Sequence, residues 1–473
     1  MSNFVFYDFE TSSSNKSWGQ IIQVGAILTN DNLEELDRYE ARCRLSQSII
    51  PEAMALIVNK SSPKMLKNAN LSHYEMIRQL VETLKRWGKV TYIGFNSIDF
   101  DEEFLRNTLF QTLEYPYLTS TSGNSRGDLL NLARAANLYY PNTLKNSISD
   151  KGNAVYKLDK MAPLNGIEHG DAHSAIGDVV ATLGVAKIIS KKAPSVWKAS
   201  QLTTNKDLTL EVIKKELYFC TNEYFYGKSR PYIQAFVCPH PKYQWPKCFD
   251  LKHDPSIYLD MPADALKVAM GKNPKFLRTV RHNKHPIIMN PSYGNEFEEY
   301  KMIGAEKLAA RAKLIKDHKQ FAEKISLILQ DEAEEKEQTR SQEDVYEEES
   351  IYTKFTSPED NRIMPEFHKA EWEKKLSVLD KLKDERLHYF GKRLIFEEKP
   401  EILPKAEYNK IQRMIAKRLL STSVEKWNTI PRTYSEIDTL REKFEREGQP
   451  EKMAILDDIN SYVEEMEKFY NAV

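Results

Sequence analysis

Phe4-Val5-Phe6-Tyr7-Asp8-Phe9-Glu10-Thr11 opens the chain with an aromatic and β-branched run that reads as a strand. Side chains alternate faces along a strand, so Asp8 and Glu10 emerge on one side, near its carboxyl end. With 69 acids in the chain, acid-x-acid pairs recur by chance, and most such pairs are solvated. Asp8 differs because its neighbours are nearly all apolar. A solvated face fits badly there, and two like charges call for a cation.

Outward from this run, residues 21–28 form a second apolar stretch and 90–95 a third, while 73–87 and 101–110 carry helical spacing. Strands alternating with helices predict an α/β domain. Residues 171–189 place Ile176, Val179, Val180, Leu183 and Ala186 at helical spacing, then stop at Lys191, Lys192 and Pro194, so a first domain is expected over 1–195. From 200 to 330 the texture changes to short apolar runs, such as 232–238 and 286–289, cut by Pro, Gly, Asn and His, which predicts a strand-rich middle domain. Residues 331–349 hold ten acids against Lys336 and Arg340, and 331–356 reads as an acidic linker or exposed helix. Long amphipathic patterns over 365–389, 405–420 and 435–470 predict a helical domain over 357–473.

Composition bounds the function. A chain of 473 residues, 41% hydrophobic and 29% charged, is globular and large enough for about three domains. A formal net charge of -1 means that any affinity for nucleic acid must come from segregated basic surface. Cys43, Cys220, Cys238 and Cys248 form no Cys-x-x-Cys pair, as expected of a reducing compartment, and Cys238 with His240 reads as a strand-end thiol beside a surface imidazole. No secretory signal and no run of 18 apolar residues occurs, so a cytoplasmic chain without a membrane partner is expected.

Further acids join the first pair. Asp101 follows the residue 94–100 turn at a helix start, where it reads equally as a helix cap and as a ligand. Asn165-Gly166-Ile167-Glu168-His169-Gly170-Asp171-Ala172-His173 leads into the long helix, and Asp178 lies within an otherwise apolar face, where an unpaired carboxylate is costly. Phosphodiester hydrolysis supplies a reason for such a set: two divalent cations about 3.5 to 4 Å apart, held by several carboxylates, stabilise both the attacking and the departing oxygen. An imidazole with a near-neutral pKa can take the proton of the attacking water, a role that suits His173. Hard oxygen ligands imply Mg2+, with Mn2+ able to substitute.

Taken in order, Asp8-x-Glu10, Phe100-Asp101 with Phe104-Leu105, then His173 and Asp178, resemble the DEDDh class of 3'-5' exonucleases. Asp8 to Thr11, Gly123-Asn124-Ser125-Arg126-Gly127-Asp128-Leu129-Leu130 and Asn165 to His169 are similar to the bacterial exodeoxyribonuclease I family. The likeness continues through Val280-Arg281-His282-Asn283-Lys284-His285-Pro286, Ile351-Tyr352-Thr353-Lys354-Phe355 and Asp384-Glu385-Arg386-Leu387. It implies a ribonuclease H-like exonuclease domain, an SH3-like barrel and an all-α third domain. It also implies processive removal of 5'-mononucleotides from the 3' end of single-stranded DNA in repair and recombination. Asp8, Glu10, Asp101 and Asp178 take the family's metal positions and His173 that of the general base. Glu10, Thr11, Arg106, Tyr117, Arg126 and Arg134 fall on its substrate path. Lys157 stands where the family usually has an arginine, keeping the charge but losing the planar fork. The implied partner is the acidic C-terminal tail of the single-stranded DNA-binding protein, and a monomer in the bacterial cytoplasm is expected.

Tyr224, Phe225, Tyr226, Lys228, Arg230 and Tyr232 lie within nine residues, a density that suits base stacking, although alternate aromatics in a strand-rich domain are more often barrel core. Two rival readings remain open. An exoribonuclease of the same superfamily needs the same acids, and an inactive single-strand binding or scaffold factor could keep the fold alone.

Overall fold

The computed structural model describes residues 3–168, 174–339 and 345–473. Among them no helix is long and apolar enough to cross a membrane. The N-terminal sheet has five strands in the order β3-β2-β1-β4-β5: β1 Asn3–Thr11, β2 Ile21–Thr29, β3 Glu35–Arg42, β4 Val90–Gly94 and β5 Ser125–Asp128. β1 pairs antiparallel with β2 and parallel with β4, and β4 pairs parallel with β5.

The alternation of β1 decides what each face meets. Phe4 and Phe6 pack with Val179, Leu183 and Ala186 of the helix Ala175–Lys192 and with Trp197. Val5, Tyr7 and Phe9 pack on the other face with Ile77, Leu80 and Leu84 of His73–Trp87 and with Phe104 and Leu105 of Asp101–Gln111. Asp8 and Glu10 share the parity of Phe4 and Phe6, so they face the helix that carries Asp178.

The strand-rich middle is a five-stranded antiparallel sheet ordered Leu277–Thr279, Pro246–Asp250, Lys228–Pro239, Phe219–Phe225, Ile288–Met289. It is backed by the helices Ala305–Asp317 and Lys319–Gln338. Its Ile233, Phe249 and Phe321 belong to the same apolar core as Phe4 and Trp197, so the middle and N-terminal regions share an interior. In the C-terminal region Phe390, Leu394 and Ile395 share a second core with Ile22, Ile50 and Phe110, and the Phe110 and Phe390 rings lie 5.1 Å apart.

The acidic stretch takes the helical alternative over its first half, and the patterns over 365–389 and 435–470 are each broken, the latter into Ile430–Glu447 and Pro450–Asn471 at Gly448, which adopts φ 63°. The acidic helix runs to Gln338, because Lys242 and Lys267 pair with Glu337 and Glu335 and offset the repulsion. Its second half, Glu347–Tyr352, is a 3-10 turn that buries Glu348 between Arg393 at 2.8 Å and Arg418 at 2.6 Å. The pattern over 365–389 is not one helix: Pro358–Lys369, Lys375–Leu379 and Glu385–Glu398 share it. Asp384 starts the third by capping it, its side chain accepting from Arg386 N, and the buried Lys375 donates to the Phe367 carbonyl near the end of the first. Apolar spacing continues across both breaks because all three pieces face one core.

Candidate active site

Oxygen atoms of Asp8, Glu10 and Asp178 lie within 4.8 Å of one another. Asp8 and Glu10 are delivered by the strand register. Asp178 is delivered by close packing at Gly25, which pairs with Asp8 across β1 and β2. A Cβ on Gly25 would fall 2.5 Å from the carbonyl carbon of Ala175 and 2.6 Å from the Ile176 nitrogen. Only glycine lets the first turn of this helix lie on the sheet. Ser174 caps that turn, its hydroxyl accepting from Gly177 N at 3.2 Å, and Asp178 follows one residue later.

Asp101 arrives from the edge. β4 stops pairing with β1 at Phe6, which leaves the Phe9 N–H beyond its end, and Asp101 Oδ1 accepts it at 3.2 Å. Phe100 occupies the capping position without a side-chain bond, and the Asp101 carboxylate reaches β1 while also facing its own backbone N–H. It lies outside the tight trio but close enough to raise the proton affinities of Asp8 and Glu10.

The electrostatics state the chemical need. Burial, then Asp101, Asp178 and Glu10, hold the Asp8 carboxyl well above the ordinary carboxylate range. Burial, then Asp178 and Asp101, push Glu10 up to about 8, and burial pushes Asp101 up to about 7. Acids kept from ionising by burial and by one another are resolved either by protons or by a multivalent cation. An all-carboxylate donor set fits a hard divalent ion. His173, with residues 169–172, lies outside the described residues.

The remaining expected positions separate into two groups. Lys157 is exposed at the start of Leu158–Leu164, and Thr11 is buried, its hydroxyl donating to Ser13 O. Arg106 and Arg126 converge on the fully buried Glu102, at 3.2 and 3.0 Å, where Thr119 and Tyr7 also donate. Arg106 further lies 5.2 Å from the centre of the Tyr117 ring. Arg134 stacks 3.9 Å from the Tyr224 ring of the middle region. Tyr232 is buried, whereas Tyr226 is fully open at a hairpin tip, so that aromatic cluster divides between core and surface.

Sequence reasoning passed over Phe355, which is 80% exposed and packs 5.7 Å from Tyr117 across the seam with the C-terminal region. Its signal was present in the 351–355 motif, an aromatic side chain among polar neighbours. Asp128 was also passed over: it caps Leu129–Tyr139 and binds the turn before Asp101.

Residues 5–186 match a family model described as Exonuclease, and 346–466 one described as Exonuclease I C-terminal domain. Exodeoxyribonuclease I of Buchnera aphidicola subsp. Acyrthosiphon pisum is 30% identical over 197 residues, 41% of this chain and 48% of that protein. The match thus spans about half the length of that relative. Exodeoxyribonuclease I of Escherichia coli (strain K12) is 24% identical over 344 residues, 69% of this chain and 72% of that protein. Among solved structures, exonuclease I from Methylocaldum szegediense aligns with a TM-score of 0.82 at 20% identity, covering 99% of this chain and 100% of that one. E. coli exonuclease I in complex with a dA16 oligonucleotide aligns at 0.81 and 19% identity, over 98% and 100%. A structure of SSB/Exonuclease I with an inhibitor aligns at 0.80 and 20%, over 98% and 100%. These structural likenesses carry the fold.

Proposed function

Because the chain belongs to the exonuclease I family, we propose that it is a 3'-5' exodeoxyribonuclease that degrades single-stranded DNA to 5'-mononucleotides. The observation that carries this reading is the convergence of the half-buried Asp8, Glu10 and Asp178, with the buried Asp101 at their edge, in one cluster of mutually repelling carboxyls. These four would hold two divalent cations, Mg2+ with Mn2+ as substitute, which when bound supply charge stabilisation at the scissile phosphate.

The chain's own groups do the rest. Glu10 and Thr11 border the terminal nucleotide, and His173 takes the proton of the attacking water. Lys157 supplies an exposed charge for phosphate. Tyr117 and Phe355 offer rings to splayed bases, while Arg106, Arg126 and Arg134 order the surface behind them. The strand passes between regions that share cores, which suits many steps per encounter. The acidic tail of single-stranded DNA-binding protein is the proposed partner, and a monomer in the bacterial cytoplasm the proposed state.

End-labelled single strands, read by length against time, test the reading. Shortening from the 3' end to mononucleotides is expected with Mg2+ and not with chelator. Asp178→Asn is expected to lower kcat by orders of magnitude while strand binding persists. A preference for RNA of matched sequence would overturn the substrate, and strand binding without any cleavage would favour a scaffold factor.

A further inference from the structure

Asp101 directly follows a turn: residues 95–100 connect β4 to its helix, and Asn96 adopts φ 64° there. That turn is gripped from two sides. Inside, the buried Asp128 carboxylate accepts from Asn96 N at 3.1 Å and Ile98 N at 3.2 Å while capping the next helix through Leu130 N at 2.9 Å. Asp128 is itself held: its backbone N–H donates to Nδ1 of His285 at 2.9 Å. Because that nitrogen accepts from an amide, the ring proton sits on Nε2, which faces the Ser200 carbonyl at 2.9 Å. The ring lies over Gly127, where a Cβ would come within 3.3 Å of it. Outside, the neighbouring Lys284 pairs with Asp99 Oδ1 at 2.8 Å and reaches the Ile98 carbonyl at 3.4 Å. Both residues come from the middle region, between the strands Leu277–Thr279 and Ile288–Met289.

Resting on the proposed two-metal activity, we propose that Lys284 and His285 are positioning residues for Asp101, so that the middle region completes the cation site of the N-terminal one. Neither touches the reacting atoms. His285 acts through Asp128 on the inner side of the turn, and Lys284 acts directly on its outer side. A metal ligand that follows a turn is positioned by whatever fixes that turn, and losing outer-shell support typically weakens metal binding about 10- to 100-fold. The consequence is specific: the defect falls on cation affinity and kcat, not on the strand.

The test compares full-length parent, His285→Leu, His285→Asn and Lys284→Met by Mn2+ calorimetry without DNA, and by kcat and KM on single-stranded DNA. His285→Leu is expected to bind Mn2+ at least about tenfold more weakly and to lose kcat at unchanged KM. His285→Asn, whose Oδ1 can accept the Asp128 N–H, is expected to recover most of both. Lys284→Met discriminates independently of the buried ring. Removing a positive charge near a cation site raises affinity by electrostatics alone, so a fall in affinity reports the turn. An unchanged Mn2+ isotherm in His285→Leu, an Asn variant no better than Leu, or tighter Mn2+ binding in Lys284→Met would each overturn the proposal. A raised KM with parental Mn2+ affinity would assign these residues to the strand instead and overturn it too. A parent that binds Mn2+ with the expected variant pattern yet spares single-stranded DNA would overturn only the proposed activity.

Discussion

Glu10 meets two conflicting demands: its carboxyl is needed as an anion, and its surroundings disfavour that anion. Burial, then Asp178 and Asp101, raise its pKa from 4.5 to about 8. A carboxyl that binds its proton more tightly in the folded chain costs no stability below its unfolded pKa. The cost grows as pH rises through that window and is complete above the folded value. Glu10→Gln removes this titration. In chelator, the variant is expected to melt near the parent at about pH 5 and increasingly above it towards about pH 9, with Mn2+ closing the gap by stabilising the parent. His73 and His368, pulled down to about 4 by burial, work in the opposite direction, but both chains carry them and the difference cancels them. A melting gap independent of pH would refute the repulsion argument. The gain expected in stability accompanies a loss of turnover, the usual relation where a site stores like charge.

The helix Ala175–Lys192 is the element on which the carboxylate trio depends, and its distance from the sheet is set at Gly25. A methyl group there meets backbone atoms, which cannot rotate away as a flexible side chain would. Gly25→Ala is therefore expected to cost roughly 1 to 3 kcal/mol in urea unfolding. Turnover is expected to fall further than the folded population does, because the helix must lift and Asp178 rides on its first turn. Destabilisation with parental kcat would show that the trio tolerates a shifted helix. The three helices that replace one over 365–389 teach the same point from the other side. A side-chain N-cap such as Asp384 starts a new helix while leaving the apolar spacing intact.

Across the whole molecule, one apolar core joins the N-terminal sheet to the middle region and a second joins it to the C-terminal region. Within the C-terminal region Arg386 pairs with Asp384 and donates to Ser350 O at 2.6 Å and Lys354 O at 3.1 Å, and its guanidinium lies 4.8 Å from the centre of the Phe110 ring of the N-terminal region. That clamp holds the segment ending in Phe355 against Tyr117. Phe355→Ala is expected to weaken binding of a long single strand by about 1 to 3 kcal/mol, the range for one stacked base. Hydrolysis of a very short oligonucleotide, which cannot reach the seam, is expected at the parental rate. Titration by fluorescence anisotropy and a short-substrate assay measure the two, and equal losses on both substrates would place Phe355 in structural support instead.

By itself the sequence determined the parts whose signal is local. The strand carrying Asp8 and Glu10 is legible because alternation puts both acids on one side of an apolar run, and the helix carrying Asp178 because its neighbours repeat at helical spacing. The domain order is legible from changes in texture along the chain. What only the tertiary structure decided is everything that depends on approach. Asp101 could be read as a cap until Phe9 was seen to claim its carboxylate. Gly25 carried no sign that a helix would lie on it. His285 and Phe355 sit in quoted motifs, yet their partners Asp128 and Tyr117 lie 157 and 238 positions away. Periodicity reports which face a residue takes, but contacts between distant segments follow from packing of the whole chain, which no local window contains.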